Sequence, residues 1–592
     1  MHKKVSDFIA DILVEEGVKH VFAVSGGASL HLIHSIADNK KISHICNHQE
    51  QASAMAADSY SRVTGNIGVA MATSGPGATN LITGICCSYY DSVPALLITG
   101  NASTKRQTGS TGVRQIGFQE TPIVEVVKPI TKYAVSITDP TEIEYELKKA
   151  ISIAKSGRPG PVLVDIPDDL QREMIDVQNL KKYTTIEESL SEDKSQKLIN
   201  SVFDMLKESE RPVIVAGWGI HLSNTQKEFV KFAKTLNIPV AFTWGAPDLM
   251  HYQDNLYIGT FGTHGMRHAS FAVQNADLII SLGSRLDTKS TGSPINSFAR
   301  EAKKIMLDID ENELNKFSSF NLNFDLLLHM DLKDFFNNIS DKQLEEFSMN
   351  TEKWVNQIKT WKETFKELDA CSEIKTSQVN PYVFGKKLSK DLPNNSKLMI
   401  DTGCSIAWLM QSLEIPKSVR VFHDCNNTAM GWSVPAGIGA YFASEAISPI
   451  TVVTGDGSFM MTSYELATIM HHEIPLKIFI INNQGYSMIQ QTQDQWLNSK
   501  YIASSKDGGL SFPSYNEIAK AYGIEYIEIS NTSECSKISN IMASNKAVIC
   551  NVKIDEDFRV VPQVVFGKPN EDMGPLIPRD IFIKNMLVKP LD

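Results

Sequence analysis

Residues 452–461 read VVTGDGSFMM, a hydrophobic run that ends at Gly455-Asp456-Gly457-Ser458 and passes into an amphipathic segment. Strand, glycine turn and helix in that order suit a phosphate, because small residues let backbone N–H groups approach it at a helix N-terminus. The acid in the turn, Asp456, should repel the same anion. A second turn, Asn482-Asn483-Gln484-Gly485, follows the strand PLKIFII and resolves the contradiction. Asp456 and Asn483 stand 27 positions apart, and parallel neighbouring strands joined by one helix bring their carboxyl ends together. One carboxylate, one amide oxygen and a backbone carbonyl, taken as that of Gly485, make a hard-oxygen set suited to Mg²⁺. Magnesium completes its shell with water and phosphate oxygens. The expected ligand is therefore a diphosphate held through the metal, with Gly457 and Ser458 at the phosphates.

Three blocks of alternating strand and helix patterns must position these groups. The fold class is α/β, with three open parallel-sheet domains in series. The first block, 1–175, runs from the helix VSDFIADILVEEG through the strands HVFAVSG, ISHICNH, NIGVAMATSG and ALLITG to GRPGPVLVDIP. A charged connector, KKYTTIEESLSEDKSQ, separates it from a second block, 195–340, with strands RPVIVAGWG, IPVAFTW, ADLIISLGSR and KIMLDID. A polar helical connector precedes the third block, 376–565, which carries the opening motif between KLMIDTG and AVICNVKI. The tail, 566–592, is rich in proline and polar residues and is expected to wrap a surface.

Bulk properties narrow the class of function. The chain has 592 residues, 42% of them hydrophobic, and a net charge of −11, which argues against a nucleic-acid surface. No apolar run approaches the roughly 18 residues of a membrane span, and acids interrupt the N-terminus too early for a signal peptide. Eight scattered cysteines, with no C-x-x-C pair, are read as free thiols of a cytoplasmic protein.

GDGS followed by NN at this interval resembles the binding motif of the thiamine diphosphate enzymes. The resemblance covers nearly the whole chain and is closest to the acetohydroxyacid synthase large subunits, through TSGPGATN (73–80), FQETPIVEV (118–126), GRPGPVLVDIP (157–167) and GDGSF…ELATI (455–469). It implies pyrimidine-binding, central and diphosphate-binding domains, with thiamine diphosphate and Mg²⁺ between the first domain of one subunit and the third of another. A homodimer would be the minimum unit, and homotetramers are common. Glu50, in NHQEQASAMAADSYSR, matches the family's catalytic glutamate, which bonds the coenzyme's aminopyrimidine N1′. Met430 matches the bulky residue that wedges beneath the coenzyme and bends it. Phe118 and Gln119 match the loop that enters the site from the partner subunit. Gly27 and Gly75, in glycine turns after strands, are counted with the coenzyme contacts, as are Gly403, Cys404 and Ser405 at the diphosphate. Segments 259–269, 283–292 and 306–314 resemble flavin-contacting segments, which implies FAD with Arg285 and Asp310 as contacts; the alternative is a domain that kept its shape and lost the flavin.

Departures from the family concentrate on the second substrate. Lys289 and Thr288 stand where the family has arginine and aspartate, and Thr492 stands for the tryptophan that shapes the acceptor pocket. Lysine keeps the charge but loses the bidentate fork. Cys404-Ser405 replace a Gln-His pair. The expected function is a carboligase that decarboxylates a 2-oxo acid, pyruvate foremost, and transfers the two-carbon unit to a carbonyl acceptor other than a second small oxo acid, such as a keto sugar. The alternatives are acetolactate synthase proper, a simple decarboxylase and a pyruvate oxidase.

Overall fold

The computed structural model describes residues 2–184, 192–347 and 349–591; residues 185–191, in the expected connector after the first block, lie outside the described residues. Apolar segments such as Leu278–Leu282 and Val162–Pro167 are buried along their whole length, so they become strands covered on both faces. They assemble into three six-stranded sheets in series along the chain, each wholly parallel. The first contains His20–Ala23, Ser43–Cys46, Gly68–Ala72, Ala95–Asn101, Tyr133–Ser136 and Val162–Pro167, in the spatial order 2-1-3-4-6-5. The third contains Lys397–Ile400, Arg420–Phe422, Ile450–Gly455, Lys477–Asn482, Glu525–Ile529 and Val548–Lys553, and repeats that order. The second contains Pro212–Ala216, Val240–Phe242, Tyr257–Thr260, Leu278–Leu282, Lys303–Asp308 and Leu326–His329, in the order 3-2-1-4-5-6.

Three open α/β sheets are thus present as expected, with four strands beyond those read from the sequence. Tyr133–Ser136, Tyr257–Thr260, Leu326–His329 and Arg420–Phe422 all lie at sheet edges. An edge strand has one ladder partner and less buried face, so its sequence needs no long apolar run. The turn read at Gly455–Ser458 is also shorter than expected, because the helix Asp456–Thr462 begins at the acid itself.

The first and third domains pack closely within one chain. Helix Glu50–Thr64, rich in alanine and serine, lies against helix Ser433–Ala443 so tightly that a Cβ on Gly439 would sit 2.1 Å from the Ala56 carbonyl oxygen. Beside this contact Arg62 donates to Asp58 (2.8 Å), to Asp91 (2.9 Å) and to the His423 carbonyl (3.1 Å), while the Trp432 indole donates to Asp58 (3.0 Å). A buried cation is acceptable here because two carboxylates and a carbonyl satisfy it. The tail lies on the central domain. Phe582 meets Phe271 edge-on, and Glu571, with no exposed surface, accepts from Gln274 (2.6 Å) and Arg300 (2.8 Å).

Candidate active site

Strands Ile450–Gly455 and Lys477–Asn482 are neighbours, with Gly455 opposite Ile481, so the turns that follow them meet. Asp456 Oδ2 accepts from the backbone N–H groups of Asn483 and Gly485, both at 3.2 Å, and Oδ1 accepts from Gly457 N–H at 2.6 Å. Asn483 is buried beside it and donates to the Ser487 hydroxyl. Burial pushes the Asp456 carboxyl up to about 7 against those backbone donors. The acid is only 2% exposed, and among the described residues its hydrogen bonds all come from backbone N–H groups. A carboxylate left so deep without a counter-charge fits a site completed by a cation. Among the described residues no three His, Cys, Asp or Glu side chains cluster as metal ligands, so such a cation would rely on amide, backbone and external oxygens.

Above this acid lies a cavity of about 340 Å³ lined by Gly403, Cys404, Ser405, Met430, Gly457, Ser458, Asn483 and Gly485 among others. Gly403, at φ +87°, turns the chain from Asp401 into helix Cys404–Ser412. Gly457 is needed for space, because a Cβ there would reach within 2.2 Å of the Tyr486 ring and 3.1 Å of the Met430 Cε. The Met430 turn is held from below by Asp401, which has 1% exposure. Its carboxylate accepts from Gly431 N–H (3.1 Å), Ser433 N–H (2.9 Å) and the Ser433 hydroxyl (2.7 Å). Met430 is therefore fixed over the glycine turn rather than packed in a core.

Glu50 opens helix Glu50–Thr64, is buried, and accepts from the Asn80 amide at 2.9 Å. It does not line the Asp456 cavity of its own chain. Phe118 is 87% exposed on the loop before Gln119, whose φ is +59°; the Gln119 backbone lies against Gly75, itself at φ +59°. Gly27 begins a single turn, Gly27–Ser29, with open space around its α-carbon. One chain thus collects the Asp456 group in one place and presents the Glu50 and Phe118 groups elsewhere.

A second cavity, about 230 Å³, opens at the carboxyl ends of Pro212–Ala216 and Leu278–Leu282. These are the adjacent strands at which the central sheet reverses its order, the position where open α/β sheets take ligands. Arg285 and Asp308 line it, and burial pushes Asp308 up to about 6. Asp310, expected as a flavin contact, is instead turned to Arg158 (3.0 Å) and caps the helix Glu311–Asn315 through Asn312 N–H (2.9 Å). The two cavities share Trp244, His264, Lys289 and Cys425. Lys289 holds its ammonium 5.5 Å from the Trp244 ring centroid and is the only Lys or Arg among the described residues lining the Asp456 cavity. Thr492 is exposed on helix Ser487–Trp496 and does not line that cavity. Local spacing had not pointed to Trp244, His264 and Tyr486, since two of them come from another domain; the strand end FHDC would have flagged His423 and Asp424, which also line the cavity.

Comparison with known proteins gives the frame. Residues 3–125 match the N-terminal TPP binding domain of thiamine pyrophosphate enzymes, residues 199–338 the central domain, and residues 401–552 the C-terminal TPP binding domain. The acetolactate synthase large subunit of Cyanidium caldarium is 32% identical over 576 residues, covering 95% of each chain. The probable acetolactate synthase large subunit of Methanocaldococcus jannaschii is 32% identical over 574 residues, 93% of this chain and 92% of that one. The chloroplastic acetolactate synthase 2 of Nicotiana tabacum is 29% identical over 581 residues, 96% and 85% of the two chains. With its three domains matched in order around paired glycine turns, the chain belongs to the thiamine pyrophosphate enzyme family.

Proposed function

We propose that the protein is a thiamine diphosphate-dependent carboligase of the acetolactate synthase type, which decarboxylates pyruvate and passes the two-carbon unit to a carbonyl acceptor. The observation that carries this reading is the buried Asp456 carboxylate, lacking a counter-charge, at adjoining strand ends beneath Met430. When bound, thiamine diphosphate supplies an electron sink for decarboxylation and keeps the remaining two carbons nucleophilic. Asp456, the Asn483 amide oxygen and the Gly485 carbonyl would hold Mg²⁺; Gly403, Cys404, Ser405, Gly457 and Ser458 would line the diphosphate, and Met430 would force the coenzyme to bend. Glu50 would exchange a proton with the aminopyrimidine from the partner subunit, whose Gly27 and Gly75 turns and Phe118-Gln119 loop would close the site against water.

On the acceptor side, Lys289 would meet an anionic group of the second substrate. The acceptor is taken to be larger than a small oxo acid, a keto sugar included, although Thr492, which stands for the family's bulky wall, lies outside the Asp456 cavity in this chain. FAD is assigned to the central cavity, which lies at the sheet's switch point and carries Arg285; a chain that retained the cavity without the flavin would release none on acid denaturation. The assembly is a homodimer or homotetramer, and eight cysteines without a disulfide suit the cytoplasm.

Mass spectrometry of products from pyruvate with a panel of oxo acids, aldehydes and keto sugars tests the reading. Ligated product should form only with the coenzyme and a divalent ion present, and should vanish on chelation. Acetaldehyde alone, whatever the acceptor, would make the protein a decarboxylase, and oxygen uptake with pyruvate would make it an oxidase.

A further inference from the structure

The walls that meet where the two cavities join are held by the C-terminal tail. Val564 N–H donates to the Thr263 carbonyl at 2.8 Å, and Thr263 N–H in turn donates to the Lys289 carbonyl at 2.8 Å. Six residues further on, within the tail, the Asn570 amide donates to the Ser290 carbonyl at 2.8 Å. Buried Glu571 anchors this stretch to Gln274 and Arg300. Lys289 and Ser290 belong to the single helical turn Thr288–Thr291, capped at its start by Asp287, which accepts from Ser290 N–H at 2.9 Å. One turn cannot sustain itself, and its last carbonyls have no partner within the helix, so its position depends on outside contacts.

Asn570 has the features of a contact kept for its donor. It is 1% exposed, and among the described residues its Oδ1 has no hydrogen-bond partner. It lies so close to Gly292 that a Cβ there would stand 2.5 Å from that oxygen. An apolar side chain of the same volume would fill the space without stranding a buried amide oxygen. What only an amide supplies here is the N–H to Ser290.

We infer that Asn570 is a positioning residue for the acceptor half of the reaction: its bond to Ser290 fixes the turn that presents the Lys289 ammonium at the junction of the two cavities. The tail thereby sets the affinity for an anionic acceptor. This rests on the proposed function in taking Lys289 as the acceptor's anion contact.

The full-length holoenzyme is assayed with pyruvate as donor and either 2-oxobutyrate, an anion, or butane-2,3-dione, a neutral diketone, as acceptor. Asn570→Asp keeps the size and sets an oxygen against the Ser290 carbonyl. It should raise KM for 2-oxobutyrate about tenfold, leaving kcat and the diketone KM within about twofold. Lys289→Met should raise KM for 2-oxobutyrate by a similar factor, and the double variant should show no further rise, because both changes remove one interaction. Without substrate, hydrogen exchange of residues 286–292 should be faster in Asn570→Asp than in the wild type. Asn570→Leu carries the same expectations and replaces Asn570→Asp if that variant does not fold. Unchanged exchange, an equal rise in KM for the diketone, or multiplying effects in the double variant would each overturn the inference. A wild type that makes no product from pyruvate would instead sink the proposed function, and the exchange measurement would still decide whether Asn570 holds the turn.

Discussion

Asp456 and Glu50 divide the proposed chemistry between anchoring and proton transfer, and the two roles are separable by substitution. Asp456 supplies a deeply buried negative charge to which only backbone N–H groups donate. Asp456→Asn should abolish the Mg²⁺-dependent retention of coenzyme on gel filtration; in metal-free buffer the gain from removing a buried charge is offset by an amide NH2 set against a backbone N–H, whichever way the side chain turns. Glu50 accepts a hydrogen bond from Asn80 and lies outside the Asp456 cavity of its own chain. Glu50→Gln should bind coenzyme nearly as the wild type does while losing deuterium exchange at thiazolium C2, followed by NMR. Persistent exchange would remove Glu50 from the mechanism. The turn at Asp456 is marked in the sequence by its glycines, whereas Glu50 was singled out by its match to the family motif. Asp310 came from the family resemblance, and in the fold it bonds Arg158 of the first domain, which itself lines the central cavity.

At the level of elements, the strand end at Asp401 and the helix pair behind Met430 set the shape of the site. Asp401 ties the end of strand Lys397–Ile400 to the Met430 turn through two backbone N–H groups and a hydroxyl. Asp401→Ala strands those donors in a buried place and should cost about 2–4 kcal/mol in urea denaturation. Gly439→Ala would push a methyl into the Ala56 carbonyl and separate helices Glu50–Thr64 and Ser433–Ala443. The expected loss is about 1–3 kcal/mol, with no change at the Asp456 cluster itself. Strands buried on both faces were readable from their apolar runs, whereas the four unexpected edge strands, each only three or four residues long, carry too short a pattern to read.

At the scale of the whole molecule, the proposed function calls on a second copy of the chain. Phe118 is almost fully exposed, and the Glu50 and Asp456 groups do not meet in one chain. If two chains complete each site, co-refolding inactive Glu50→Gln with inactive Asp456→Asn should restore about a quarter of wild-type activity. By chance half the dimers are mixed, and each of these holds one intact site of two. No recovery would mean that both groups act from the same chain. The interior also predicts acid sensitivity. Burial holds His264, His268 and His423 down at about 4, 3 and 4, below the roughly 6.5 of an unfolded histidine. The unfolded chain therefore takes up protons that the folded chain refuses. Taken alone, the histidine contribution is full above about pH 6.5 and falls as pH drops toward 4, whereas Asp308 and Asp456, raised by burial to about 6 and about 7, hold protons in the folded chain and oppose that fall over the same range. Denaturation midpoints of the wild type and His268→Gln at pH 7 and pH 5 isolate the histidine part: the variant should lose less stability between the two pH values than the wild type does.

The role of Met430 came from the family resemblance, while the order of apolar runs and glycine turns was enough to indicate three parallel α/β blocks and the meeting of the Asp456 and Asn483 turns. These depend on backbone periodicity and on neighbouring strands ending at one level, which are properties of short segments. Tertiary structure alone decided that Lys289, Trp244 and His264 of the central domain reach the third domain's cavity, and that the tail props the turn carrying Lys289. Those contacts join residues hundreds of positions apart, and they are selected by burial between domains rather than by any pattern that a local stretch of chain can carry.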